Sequence, residues 1–293
     1  MIASLVSTEW LAPRIGTPNL RIVDASWFLP NDHRNAAAEY AAAHIPGAIF
    51  FDVDASSDQT SPLPHMLPTA DAFAARMSAL GVSDTDDIVV YDRSGTNLSA
   101  ARVWWMFRVF GHRATAVLDG GLGAWRAEGR PLEAGIVAGA PGMFTARLDA
   151  ARVRNLDAMR ANLETRREQV IDARSAGRFA GTAPEPRPGL RGGHVPGSLS
   201  LPYTELVTPN GTMRPAADLR LTFDALGADL DRPIVASCGS GTTACCIALA
   251  LDLLGAPDVS VYDGSWTEWA GRADTPIETG PPSPPGNEST GRR

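Results

Sequence analysis

The chain has 293 residues, of which 44% are hydrophobic and 20% charged. That is too much core-forming material for disorder and more length than one core commonly fills, so two domains are expected. A net charge of −7 disfavours nucleic acid and anionic membrane surfaces as partners, and no apolar run approaches the roughly 20 residues that a membrane span requires.

Met1 to Trp10 lacks the basic and apolar stretches of a secretory leader. Leu20 to Ala25 reads as a short buried strand ending in Val23-Asp24-Ala25-Ser26, and His44-Ile45-Pro46-Gly47-Ala48 precedes a second apolar stretch. Helical periodicity covers Asp71 to Leu80 and Ser99 to Phe110, with the strand Ile88-Val89-Val90-Tyr91-Asp92 between them. Asp119-Gly120-Gly121 and Trp125 follow. Roughly 150 residues later the same signals return in the same order. Val170-Ile171-Asp172-Ala173 matches the first strand, and His194-Val195-Pro196-Gly197-Ser198 matches the His-Pro-Gly turn. Ile234-Val235-Ala236-Ser237-Cys238 matches the third stretch, and Asp263-Gly264-Ser265 with Trp269 matches the last.

A duplicated domain follows from this order. Alternation of strands and helices predicts an α/β fold, tandem copies each holding a mostly parallel sheet flanked by helices. The expected boundaries are 1–128 for a non-catalytic copy, 129–150 for a Pro- and Gly-rich linker, 151–275 for a catalytic copy and 276–293 for a disordered tail. His44 and His194 occur in both copies and are expected to serve the turn; Trp125 and Trp269 are expected core anchors.

Cys238 distinguishes the copies. It ends an apolar strand and opens the loop Gly239-Ser240-Gly241-Thr242-Thr243, after which an apolar helix runs to Leu254. Strand, short glycine-containing loop and helix aim backbone NH groups at one point, and a thiolate there is stabilised as a nucleophile. Ala244 stands where a cysteine phosphatase would need an Arg for a dianion, so the loop suits one small charged sulfur. The first copy has Asp92 at the matching position, so one active site per chain is expected. Cys245 shares a helix face with Asp252, where oxidants could reach it, but no redox role is expected because one helix does not bring it to Cys238 with disulfide geometry; Cys246 falls on the stripe with Leu249, Ala250 and Leu253 and is expected to be buried. Three cysteines within nine positions build no long-range disulfide framework and, without nearby His, no zinc site; no metal and no cofactor is expected, and the setting is a reducing, cytoplasmic one.

Several stretches carry a family resemblance. They are Val23 to Trp27, His44 to Ala48, Ser61 to Pro68, Arg102 to Arg108, Asp119 to Leu122, Arg178-Phe179 with Pro184 to Arg187, and the Cys238 loop. Along about 5–272 the chain resembles the two-domain rhodanese-type sulfurtransferases, in particular those acting on 3-mercaptopyruvate. The resemblance implies that Cys238 takes sulfur from 3-mercaptopyruvate as a persulfide, releases pyruvate and passes the sulfur to a thiol acceptor such as thioredoxin, or to cyanide. It implies a proton relay of Ser240, His65 and Asp54, a substrate-carboxylate clamp of Arg178 and Arg187, and loop contacts from Gly239, Gly241, Thr242 and Thr243. Members favouring thiosulfate carry Arg-Lys directly after the cysteine, where this chain has the neutral Gly239-Ser240. Thiosulfate as donor and a slow-turnover persulfide carrier remain the alternatives. Thr242 departs from the family's usual Val.

Overall fold

The computed structural model describes residues 2–29, 32–137 and 139–281. Its first half contains strands β1 (Leu5–Val6), β2 (Leu20–Asp24), β3 (Ile49–Phe50), β4 (Asp87–Tyr91) and β5 (Thr115–Leu118). The helices among them are α1 (Thr8–Leu11), α2 (Ala36–Ala42), α3 (Ala70–Ala79), α4 (Leu98–Val109) and α5 (Gly121–Ala127). The second half repeats the series with β6 (Val153–Arg154), α6 (Leu156–Thr165), β7 (Gln169–Asp172), α7 (Ala176–Ala180) and β8 (Leu199–Ser200). It continues with α8 (Ala216–Leu226), β9 (Ile234–Ser237), α9 (Ala244–Leu253), β10 (Val259–Tyr262) and α10 (Ser265–Ala270).

The two sheets have the orders β1-β5-β4-β2-β3 and β6-β10-β9-β7-β8, and all their pairings are parallel. Helices cover both faces, so the central strands are apolar on both sides: Ile88, Val89, Val90 and Tyr91 of β4 are fully buried, as are Val235 and Ala236 of β9. In both halves the functional loop leaves the C-terminal end of the central strand, β4 or β9, where open parallel sheets form their ligand crevices. No helix among the described residues is long and apolar enough to cross a membrane.

The halves share a core. α4 carries Val103, Trp104, Trp105, Met106 and Phe107, and α9 carries Cys245, Cys246, Ile247, Leu249 and Ala250, in one continuous apolar cluster. Arg108 of α4 pairs with Asp252 of α9 at 3.0 Å at the edge of that contact. Separate clusters under Trp125 and under Trp266 and Trp269 fill the outer face of each sheet.

At the C-terminal side of both halves the chain stays attached beyond the last helix. Trp125 donates its indole NH to Pro131 O and Trp269 donates its own to Pro276 O, both at 2.8 Å, so the chain after α5 and after α10 is tied to its own half. Glu133 then forms a β-bridge with His44, and Glu278 forms the matching bridge with His194. The stretch expected to be a free linker continues by packing Phe144 against Phe73 and Phe107, while Gly142 N bonds Ser78 O at 2.7 Å. Of the expected tail, 276–281 belongs to the second half, and 282–293 lies outside the described residues. The two conserved-in-repeat histidines do more than shape a turn. Each is buried, directs Nδ1 to a carbonyl (Tyr40 or Phe179, both 2.9 Å) and stacks on that residue's ring.

Candidate active site

Cys238 follows β9 directly and is 1% exposed. Its loop is fixed from behind. Ser265 Oγ, held by Tyr262 O at 2.7 Å, accepts the NH groups of Cys238 and Gly241, at 3.2 and 3.0 Å. The carbonyls of Cys238 and Gly239 accept the amides of Trp266 and Thr267, both at 2.9 Å. Gly241 adopts φ +74, and a Cβ there would lie 2.8 Å from Asp263 O, so glycine is required. Its NH therefore serves the scaffold rather than a ligand, and Gly241 lies outside the cavity wall, contrary to its expected role as a substrate contact.

Among the described residues, the amides of Gly239, Ser240, Thr242, Thr243 and Ala244 have no protein acceptor. Thr243 caps α9 without a side-chain bond. Gly239, Ser240, Thr242 and Thr243 line the same cavity as Cys238 at the start of α9, and open amides at a helix N-terminus suit an anion.

The cavity over this loop has a volume of about 370 Å³ and is lined by Trp27, Arg178, Arg187, Tyr203, Cys238 and Ser240 among others; Gly239, Thr242 and Thr243 also line it. The Arg178 guanidinium lies 3.0 Å from the point where a Gly239 side chain would begin, so Gly239 makes room for it. Arg178 is also tethered: its Nη2 bonds Glu185 Oε2 at 2.6 Å, and Glu185 in turn receives Arg174 at 2.8 Å. Arg174 is fully buried and bonds Asp172 at 2.5 Å, which closes a neutral network of two cations and two carboxylates. Arg187 differs, since no carboxylate within salt-bridge distance pairs with it among the described residues. Burial pulls its guanidinium below the ordinary arginine value, while negative charge at Cys238 pushes it back up.

His65 arrives from the first half. It is 5% exposed, and its Nδ1 lies 2.9 Å from Ser240 Oγ and 3.2 Å from Thr242 Oγ1. Its Nε2 lies 3.1 Å from Asp54 Oδ1, and Trp27 Nε1 donates to Asp54 Oδ2 at 3.0 Å. The hydrogen bond from His65, aided by Trp27 and by the Arg187 charge, holds the Asp54 carboxyl below the usual carboxylate range against the opposing effect of burial. Ser240, His65 and Asp54 thus stand in the order expected of a relay. Asp54 is the exposed end of it.

Three residues that sequence reasoning left unassigned hold this junction. Arg102 of α4 is fully buried, bonds Asp263 Oδ1 at 2.9 Å and Gly241 O at 3.3 Å, and donates to His65 O. Asp263 Oδ2 accepts Leu67 N at 2.7 Å. One buried ion pair therefore grips the His65 segment and the Cys238 loop together, with Ser265 as the loop's inner post. The available signal was Arg102, one of two charges with Arg108 in the largely apolar helix Ser99 to Phe110, because arginine is almost never fully buried unless paired.

The neighbouring thiols are inert by position. Cys245 is fully buried, its thiol donates to Gly241 O at 3.2 Å, and burial pushes its pKa up to about 12. This corrects the expectation that oxidants could reach it: the face it shares with Asp252 packs against α4. Cys246 is buried as expected, and burial raises its pKa well above that of a free thiol.

Comparison with known proteins places this geometry. The rhodanese-like domain model matches residues 7–128 and 155–272. The chain is 48% identical to human 3-mercaptopyruvate sulfurtransferase, covering 92% of this chain and 93% of that protein. It is also 48% identical to the Arabidopsis thaliana thiosulfate/3-mercaptopyruvate sulfurtransferase 1, mitochondrial, over 94% of this chain and 78% of the relative. The crystal structure of the Escherichia coli 3-mercaptopyruvate sulfurtransferase SseA superposes with a TM-score of 0.83 at 41% identity, covering 90% of this chain and 99% of that one.

Proposed function

The chain belongs to the rhodanese family of sulfurtransferases, and from that premise we propose that it moves sulfur from 3-mercaptopyruvate through a Cys238 persulfide to a thiol acceptor, releasing pyruvate. The observation that carries this reading is the convergence on one cavity of a thiol set among open amides and two guanidinium groups, Arg178 and Arg187. A carrier that only docked to a partner would need no carboxylate clamp.

The Cys238 thiolate attacks the donor sulfur. The Sγ–S bond forms as the C–S bond breaks, the electron pair passes to the pyruvate enolate, and the thiol proton of the donor ends on that carbon. Arg187, without a carboxylate partner, takes the substrate carboxylate, and Arg178 assists from its tether to Glu185. The open amides of Gly239, Ser240, Thr242 and Thr243 stabilise the persulfide anion, as preorganised donors do at developing charge. Ser240, His65 and Asp54 carry the proton. We take the acceptor to be a thiol, with a protein dithiol such as thioredoxin as the physiological form. Three buried thiols and no disulfide suit a reducing compartment such as the cytoplasm.

Thiosulfate is the second reading. The loop after Cys238 is neutral, yet Arg178 lies against Gly239, so a cation does stand beside the sulfur. Steady-state pyruvate release with a dithiol, run beside thiosulfate with cyanide, decides between them. A higher kcat/KM for 3-mercaptopyruvate is expected; faster turnover of thiosulfate would reassign the donor while leaving Cys238 in place.

A further inference from the structure

The His65 imidazole meets the wall of the donor cavity at two hydroxyls, Ser240 Oγ and Thr242 Oγ1. Cys238, Ser240 and Thr242 line the cavity, whereas His65 lines the adjoining cleft with Asp54 and Arg187. A hydroxyl route therefore joins bound substrate to His65, and two hydroxyls stand on it. Asp54, an acceptor already bonded to Trp27 Nε1, accepts the hydrogen bond of His65 Nε2–H, which keeps the ring proton on that nitrogen. A neutral imidazole then offers a single lone pair, at Nδ1, to both Ser240 Oγ at 2.9 Å and Thr242 Oγ1 at 3.2 Å. Thr242 is 3% exposed and has no other side-chain hydrogen bond among the described residues.

We propose that Thr242 is a second relay hydroxyl, which shares His65 Nδ1 with Ser240 and lets one imidazole nitrogen accept a proton through one hydroxyl and return it through the other. The inference rests on the sulfurtransferase reading above, because that reaction requires such a return. One proton leaves the donor's thiol, one arrives at the enolate carbon, and none is gained or lost by the protein over the half-reaction. With a hydroxyl on each side of the lone pair, His65 serves both steps without turning its ring, which Asp54 and the edge of Trp27 hold in place.

The test is a double-mutant cycle. Thr242→Val, which keeps the shape, is expected to lower kcat for pyruvate release by about threefold alone and by at least about tenfold more than that in a Ser240→Ala background, the coupling typical of neighbours that share a partner. An equal, less than about twofold effect in both backgrounds overturns the proposal. A second readout is independent of turnover: the 15N resonance of His65 Nδ1. Displacement on going from Ser240→Ala to the double variant supports the shared lone pair, and an unmoved resonance overturns it. If the unaltered protein releases no pyruvate from 3-mercaptopyruvate, the functional reading fails, and the resonance still decides whether Thr242 serves His65.

Discussion

The two halves put opposite contents into the same cradle. In the first, the Asp92 carboxylate accepts Ser94 N at 2.8 Å, and Ser99 N and Ala100 N at 2.9 Å, so the amides at the start of α4 are spent on a built-in anion. In the second, Cys238 leaves the loop amides open to a ligand. Each half also sends a segment across to the other, and these crossings match. Leu67 N reaches Asp263 Oδ2 and Met213 N reaches Asp119 Oδ1, both at 2.7 Å. At the tip of one crossing stands His65 with φ +61, and at the tip of the other Gly211 with φ +80. Duplication supplied two anion cradles and two arms. Activity needs only the cradle with a thiol and the arm with an imidazole, and these come from different halves.

The largest break in that comparison is Cys238→Ser, which leaves both cradles folded but removes the nucleophile. Turnover is expected to fall by about 10³-fold or more with an unchanged unfolding midpoint; appreciable residual pyruvate release would move the chemistry elsewhere. Asp92→Ala breaks the other cradle. It strands several buried NH groups and is expected to cost about 2 kcal/mol in denaturant unfolding, while turnover tracks the folded fraction. A stability loss close to zero would mean that water replaces the carboxylate.

The smallest effect lies in the arms. A non-glycine residue at positive φ costs about 1 kcal/mol, so His65→Gly is expected to be more stable than His65→Ala by about that amount, although both lose the relay. Equal stability would show that the arm relaxes once the imidazole is gone.

The repeat made much of this legible. Parallel sheets, the Cys238 loop and the asymmetry between Asp92 and Cys238 are local patterns at matching positions, and local pattern is what a sequence displays. Ser240, His65 and Asp54 were reached through family resemblance, since nothing near His65 in the chain points toward Cys238. Arg102, Asp263 and Ser265 escaped because their meaning depends on how α4 lies against α9. Gly241 was misjudged for a related reason: a glycine in an anion loop suggests an open NH, and only Ser265 behind it shows that the NH is already taken. The segments after Trp125 and Trp269 looked like spacer because their bonds are irregular, yet each closes its own half through an indole NH.

The core shared by α4 and α9 has a consequence for how the protein fails. Almost every side chain of α9 is buried, and much of that burial is against the other half, so neither half is a closed body. The relay lies directly on that seam, between His65 from one side and Ser240 from the other. Parting the halves exposes the grease and dismantles the chemistry in the same event. Inactivation and unfolding are thus expected to share one denaturant midpoint, read by pyruvate release and by fluorescence on the same samples.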